Sequence, residues 1–138
     1  MRVTADTNLI VSAALWGGNP RRVIDAARDG FFDLYTSPVL ITELRGILGR
    51  RKFEKQFLRV GFTPEDLVDE LLGFAIVVDA GPLPFPVSRD LDDDAVVACA
   101  LASESEIIVS GDNDLLELKQ YKNIRILTAT ELLSELNL

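Results

Sequence analysis

The side chains of this chain that could do chemistry are carboxylates: 22 Asp and Glu stand beside no histidine and one cysteine, Cys99. Without an imidazole there is no base for a serine or cysteine nucleophile, and without His or paired Cys there is no ordinary zinc site or disulfide framework. No glycine-rich run ends in Lys-Ser or Lys-Thr, so a phosphate-cradling P-loop is excluded as well. Any metal must be held by oxygen, which points to hard cations such as Mg²⁺. The acids concentrate in four places: Asp6 in VTADTN, Glu43 in VLITELRGIL, Asp90, Asp92, Asp93 and Asp94 in DLDDDAVVACALAS, and Asp112 with Asp114 in SGDND.

Each acid has an ordinary structural role available to it. Asp6 and Asp112 follow apolar runs of strand length, where aspartate is favoured as a helix cap or turn residue. If the first and fourth strands are neighbours where strand order reverses, both side chains project into one crevice at the carboxyl ends of the strands. Glu43 shares a helix face with Val39 and Ile47. That placement predicts partial burial, and a buried carboxylate needs a partner. The helix macrodipole accounts for one or two acids ahead of AVVACALA; four like charges there call for a cation.

The elements that must position these acids are those of an α/β sheet. Strands are predicted at 2–5, 33–36, 75–79, 107–110 and 124–127, and runs such as IIVS and IRIL lack the alternation of a half-exposed strand. Helices are predicted at 8–15, 20–28, 38–50, 64–74, 94–103, 115–121 and 129–136. Ser37-Pro38 and Thr63-Pro64 each place a capping hydroxyl before a proline suited to a first helical turn. Three prolines make 81–91 an irregular crossover. The length suits one domain, residues 1–138, and the expected architecture is a three-layer α/β/α fold around a mostly parallel five-stranded sheet. The first residues show no signal peptide and no span, which leaves a cytoplasmic location and no membrane partner.

The motifs VTADTNLIVSAAL, SPVLITELRGIL, DLDDDAVVACALAS and IIVSGDNDLLEL, in this order, resemble the PIN-domain family, in particular the branch of toxin components of toxin-antitoxin systems. The resemblance spans essentially the whole chain. It carries the family's acids onto Asp6, Glu43, Asp94 and Asp112, with Asp94 favoured on register although Asp92 and Asp93 adjoin it, and with Asp114 able to share or replace Asp112. Asn8 and Ser110 are expected to hydrogen-bond the acids and orient them. The resemblance implies an RNA-cleaving phosphodiesterase in which Asp6, Asp94, Asp112 and Asp114 hold one or two Mg²⁺ or Mn²⁺ ions and Glu43 assists. Two such ions about 4 Å apart can clamp the attacking and leaving oxygens of an in-line displacement. A homodimer and a cognate antitoxin are implied in the same way.

A net charge of −8 argues against a polyanionic partner, although a bound cation lets phosphate approach acids. The one basic concentration is Arg45, Arg50, Arg51, Lys52, Lys55 and Arg59, within LRGILGRRKFEKQFLRV. Arg50, Arg51 and Lys52 are candidates to carry RNA, against the alternative of a solvated helix surface with Phe53, Phe57 and Val60 beneath. Trp16, in LWGGNP, reads as a loop or partner cover in preference to a base-stacking platform, and Cys99 as a small core residue. A receiver domain fits poorly, because Asp6 has no acidic neighbour and no lysine follows the last strand. A phosphatase with an aspartyl nucleophile would place a second Asp at position 8, which is Asn. The remaining alternative is a catalytically weak PIN-like module that binds RNA or protein.

Overall fold

The computed structural model describes residues 1–83, 86 and 91–138, with only the backbone at 91 and 92. Among these residues the chain runs β1 (Arg2–Ala5), α1 (Thr7–Leu15), α2 (Gly18–Arg28), β2 (Asp33–Thr36) and α3 (Pro38–Leu48). A single 3-10 turn at Arg51–Phe53 leads to α4 (Glu54–Val60), α5 (Pro64–Leu72) and β3 (Ile76–Val77). The remainder is α6 (Leu91–Ala102), β4 (Ile107–Val109), α7 (Asn113–Leu116), β5 (Gln120–Tyr121), β6 (Ile124–Leu127) and α8 (Ala129–Glu135).

The strands form one sheet in the order β3-β2-β1-β4-β6-β5. All pairings are parallel except β5 with β6. Alternate residues of the central strands feed two cores. Val3, Ala5, Ile107 and Val109 pack with α1, α2, α3, α5 and α8 on one face, while Tyr35, Ile108 and Ile126 pack with α6 and α7 on the other. Helices on both faces explain why these strands read as unbroken apolar runs. Within the second layer the buried hydroxyls of Thr4, Ser103 and Ser105 satisfy one another at 2.6 to 2.9 Å. Cys99 lies fully buried in the same layer. Burial pushes its thiol up to about 11, so it behaves as the inert core residue its setting predicts.

Both capping hydroxyls act as expected: Ser37 accepts from the Leu40 amide, and Thr63 forms a reciprocal capping box with Asp66. Among the described residues the sheet has six strands where five were expected. The run 115–121 does not continue as helix, because Lys119 takes a left-handed backbone with φ of 58° and the chain turns into β5. α3 stops at Leu48, so the basic run is divided: Arg51 and Lys52 lie in the 3-10 turn, and Lys55 and Arg59 on α4, whose Phe57 is buried. α6 begins three residues earlier than position 94, so the acids of DDD lie inside its first turn. Among the described residues no helix is long and apolar enough to cross a membrane.

Candidate active site

β1 lies between β2 and β4, so strand order reverses at the β1/β4 pair, and this is where a parallel sheet opens a crevice at its carboxyl edge. The register pairs Ala5 with Val109, and the Asp6 amide donates to the Val109 carbonyl at 3.0 Å. Asp6 and Ser110 therefore leave the sheet side by side. α6, packed across β1 and β4, brings Asp93 to the same point. One carboxylate oxygen from each of Asp6, Asp93 and Asp112 lies within 4.8 Å of the other two. Asp6 and Asp93 are buried, and Asp112 is half-buried.

The hydrogen bonds around the trio fix two of its members. Ser110, fully buried, donates from its hydroxyl to Oδ2 of Asp6 at 2.9 Å, and the same Oγ accepts from the Asp112 amide at 2.9 Å. Oδ1 of Asp112 accepts from the Asp114 amide at 2.9 Å, capping α7. Asp6 occupies the capping position of α1, but its carboxylate is held chiefly by Ser110, with the first amides of the helix acting more weakly, whereas Asp112 caps α7 directly. Burial raises the pKa of Asp6, and the nearby Asp112 charge raises it further. The Ser110 hydroxyl, followed by the backbone amides of Asn8 and Thr7, pulls the other way. A carboxylate so placed is held against its own desolvation and a like charge, which is the condition a bound cation relieves.

The other candidates fall into place around this trio. Asp94 is not one of its members: it is half-buried and lines a neighbouring hollow of about 450 Å³ with Ser37, Val39, Pro82, Leu83 and Ala98. One step along a helix turns a side chain by about 100°, so once α6 starts at Leu91 it is Asp93 that faces the sheet edge. Asp90 lies outside the described residues, as does the side chain of Asp92. Asp114 contributes its amide to Asp112, and its carboxylate is not among the three that meet. Asn8 is exposed and acts on Asp6 through its backbone amide instead of its side chain. Glu43 is half-buried on α3, about 9 Å of helix rise beyond Ser37, and outside the trio.

Arg50, Arg51 and Lys52 are exposed just past the far end of α3. The eleven residues of that helix put about 16 Å between them and the sheet edge. Trp16 is 65% exposed at the end of α1. A second hollow, of about 390 Å³, opens on the side of the trio away from Asp94 and is lined by Asn8, Ser12, Asn19, Ser110, Asp112 and Thr130 among others. Ser12, Asn19 and Thr130 gave no signal in the sequence, since Asn19 meets Thr130 across a separation of 111 residues.

The donor set suits a hard divalent cation: three carboxylates, oxygen donors only, two of them oriented by a shared serine. Comparison with known proteins bears on the family and the fold. The family profile described as PIN domain matches residues 2–114. Among solved structures, a chain of the crystal structure of VapBC2 from Rickettsia felis bound to a DNA fragment from their promoter superposes with a TM-score of 0.63 at 14% identity, covering 93% of this chain and 98% of that one. No curated protein matches the chain.

Proposed function

Because the chain belongs to the PIN domain family, we propose that it is a metal-dependent endoribonuclease, with Asp6, Asp93 and Asp112 as the residues that hold Mg²⁺ or Mn²⁺. The meeting of these three carboxylates within 4.8 Å at the strand-order reversal carries the reading. The ion, when bound, would supply Lewis-acid stabilisation of a phosphodiester and a water of lowered pKa. The chain's own contribution is preorganisation. Ser110 locks Asp6 to the start of the Asp112 turn, and the Asp114 amide fixes Asp112, so the ligand oxygens are oriented before any substrate arrives. Glu43 would assist from the half-buried face of α3, and Asp114 would adjust the second of these contacts.

The test is cleavage of mixed single-stranded RNA with Mg²⁺ or Mn²⁺, against the same reaction in chelator. Cleavage that depends on the ion supports the reading. An inert chain that still binds RNA or protein would favour the PIN-like binding module in its place. The sequence branch of toxin components, together with a fold shared with a VapBC2 chain, supports a cytoplasmic RNA target, a homodimer and a cognate antitoxin as further parts of the proposal.

Arg50, Arg51 and Lys52 would meet RNA far from the scissile bond, given the length of α3 that separates them from the trio. Replacing Arg51 and Lys52 together by Glu is then expected to weaken cleavage of long RNA by about tenfold. It should also flatten the dependence of log affinity on log salt by about 1.4, twice the value for one phosphate contact on a single strand. Unchanged cleavage with unchanged salt dependence would assign this surface to solvent.

A further inference from the structure

The carboxyl edge of the sheet is not symmetric about the acids. Read across the strand order, the hollow beside Asp94 faces the β2 and β3 side and is lined mainly by Val39, Pro82, Leu83 and alanines. The hollow beyond Asp112 lies on the β4 and β6 side, where the amides and hydroxyls of Asn8, Ser12, Asn19, Thr128 and Thr130 stand among Leu9, Pro20 and Ala129. The second hollow is continuous with the trio, because Asp112 belongs to both and Ser110, which lines the hollow, holds Asp6. Its volume of about 390 Å³ falls within the range of about 300–1,000 Å³ usual for small-molecule sites.

A cation stands at the rim of this hollow. Nη1 of Arg22 donates to Oδ1 of Asn19 at 3.3 Å, and Nδ2 of Asn19 donates to Oγ1 of Thr130 at 2.9 Å, so α2 is tied to α8 across the opening. Its helix neighbours Arg21 and Arg28 are both ion-paired with Asp25. Arg22 is exposed, and among the described residues it faces no carboxylate within salt-bridge distance. In a chain of net charge −8, an arginine oriented by an amide and left without an acid, next to a hollow that carries amide and hydroxyl groups and opens onto the carboxylate trio, is placed to take an anion.

We propose that this hollow is the subsite for the nucleotide flanking the scissile bond. Asn8, Ser12 and Thr128 would face its ribose and base edge, and Arg22 would bind the next phosphate of a single RNA strand. The proposal rests on the nuclease reading for the direction of the strand, but the subsite itself is a binding claim and can be tested as one. Guanidinium suits the task, since its planar donor fork matches a phosphate, and ribose hydroxyls are served by amides and hydroxyls.

The experiment compares Arg22→Gln with Arg28→Gln, an exposed arginine on the same helix whose charge is spent on Asp25 and Glu70. In the cleavage arm, Arg22→Gln should raise KM for an oligoribonucleotide by about tenfold and lower the salt slope by about 0.7, the value for one phosphate contact on a single strand. Arg28→Gln should shift neither. In the binding arm, a fluorescein-labelled oligoribonucleotide is titrated by anisotropy into protein already carrying Asp6→Asn, with and without Arg22→Gln, and the same tenfold weakening and the same change of slope are expected. If native protein cleaves no RNA, the nuclease reading fails and the binding arm alone decides the subsite. Equal affinity and equal salt slope with and without Arg22→Gln would overturn it, as would an equal loss with Arg28→Gln. Both substitutions lie on the surface, and matching thermal melts check that the fold is intact.

Discussion

Asp93→Asn is expected to lower RNA cleavage by about 10²–10³-fold, the range found when one preorganised electrostatic contact is removed from a reaction centre, while Asp94→Asn stays within a few-fold of native. The two side chains are adjacent in sequence and carry the same charge, so composition cannot separate them. Asp93 is 2% exposed and meets Asp6 and Asp112; Asp94 is half-buried beside Val39 and Ala98. Each substitution exchanges one carboxylate oxygen for an amide and keeps shape, which limits any effect through folding. The comparison is made on kcat with saturating Mg²⁺ or Mn²⁺. Equal losses at both positions would mean that the two acids share the ion, and a loss confined to Asp94 would move the centre into the neighbouring hollow.

That one-residue question shows what a sequence can and cannot fix. Asp6, Ser110 and Asp112 are readable because a strand end is a sharp landmark: the apolar run stops, and parallel pairing of β1 with β4 brings the two ends together. Asp93 is not readable to the residue. A helix turns about 100° per position, and acids at its N-terminus are equally at home just before the first turn or within it. The end of α6 facing the sheet therefore depends on a start at Leu91 that the sequence does not mark. β5 escaped for a related reason. Two residues pairing antiparallel with β6 are too few to set a period, and the preceding leucines suit a helix that Lys119 in fact ends. The helix-cap signals fared better at Ser37 and Thr63, where hydroxyl and proline act over four residues. The hollow beyond Asp112 was invisible throughout, since Asn19 and Thr130 are neighbours only after folding.

Asp6→Asn should separate stability from function, with opposite signs. The carboxyl of Asp6 has its pKa raised in the folded chain, first by burial and then by the charge of Asp112. A raised carboxyl pKa means that the native state holds its proton more tightly than the unfolded chain does. Below the unfolded value of about 3.9 both states are protonated and Asp6 contributes nothing to the pH dependence. As pH climbs from there to the raised native value, stability falls; above that value the penalty is constant. Asparagine keeps an acceptor for the Ser110 hydroxyl and carries no charge to desolvate. In chelator at neutral pH, the variant is therefore expected to melt above native by about 3–5 °C, the shift that about 1 kcal/mol gives in a domain of this size, and the gap should close at acid pH. Added Mg²⁺ or Mn²⁺ reverses the order. Native protein gains up to about 2.7 kcal/mol when the ion is at a hundred times its Kd, the variant gains far less, and its cleavage drops by about 10²–10³-fold. A variant that melts below native in chelator would show that the Asp6 charge is already compensated within the fold. One that is stabilised by the ion as strongly as native would show that Asp6 does not hold it.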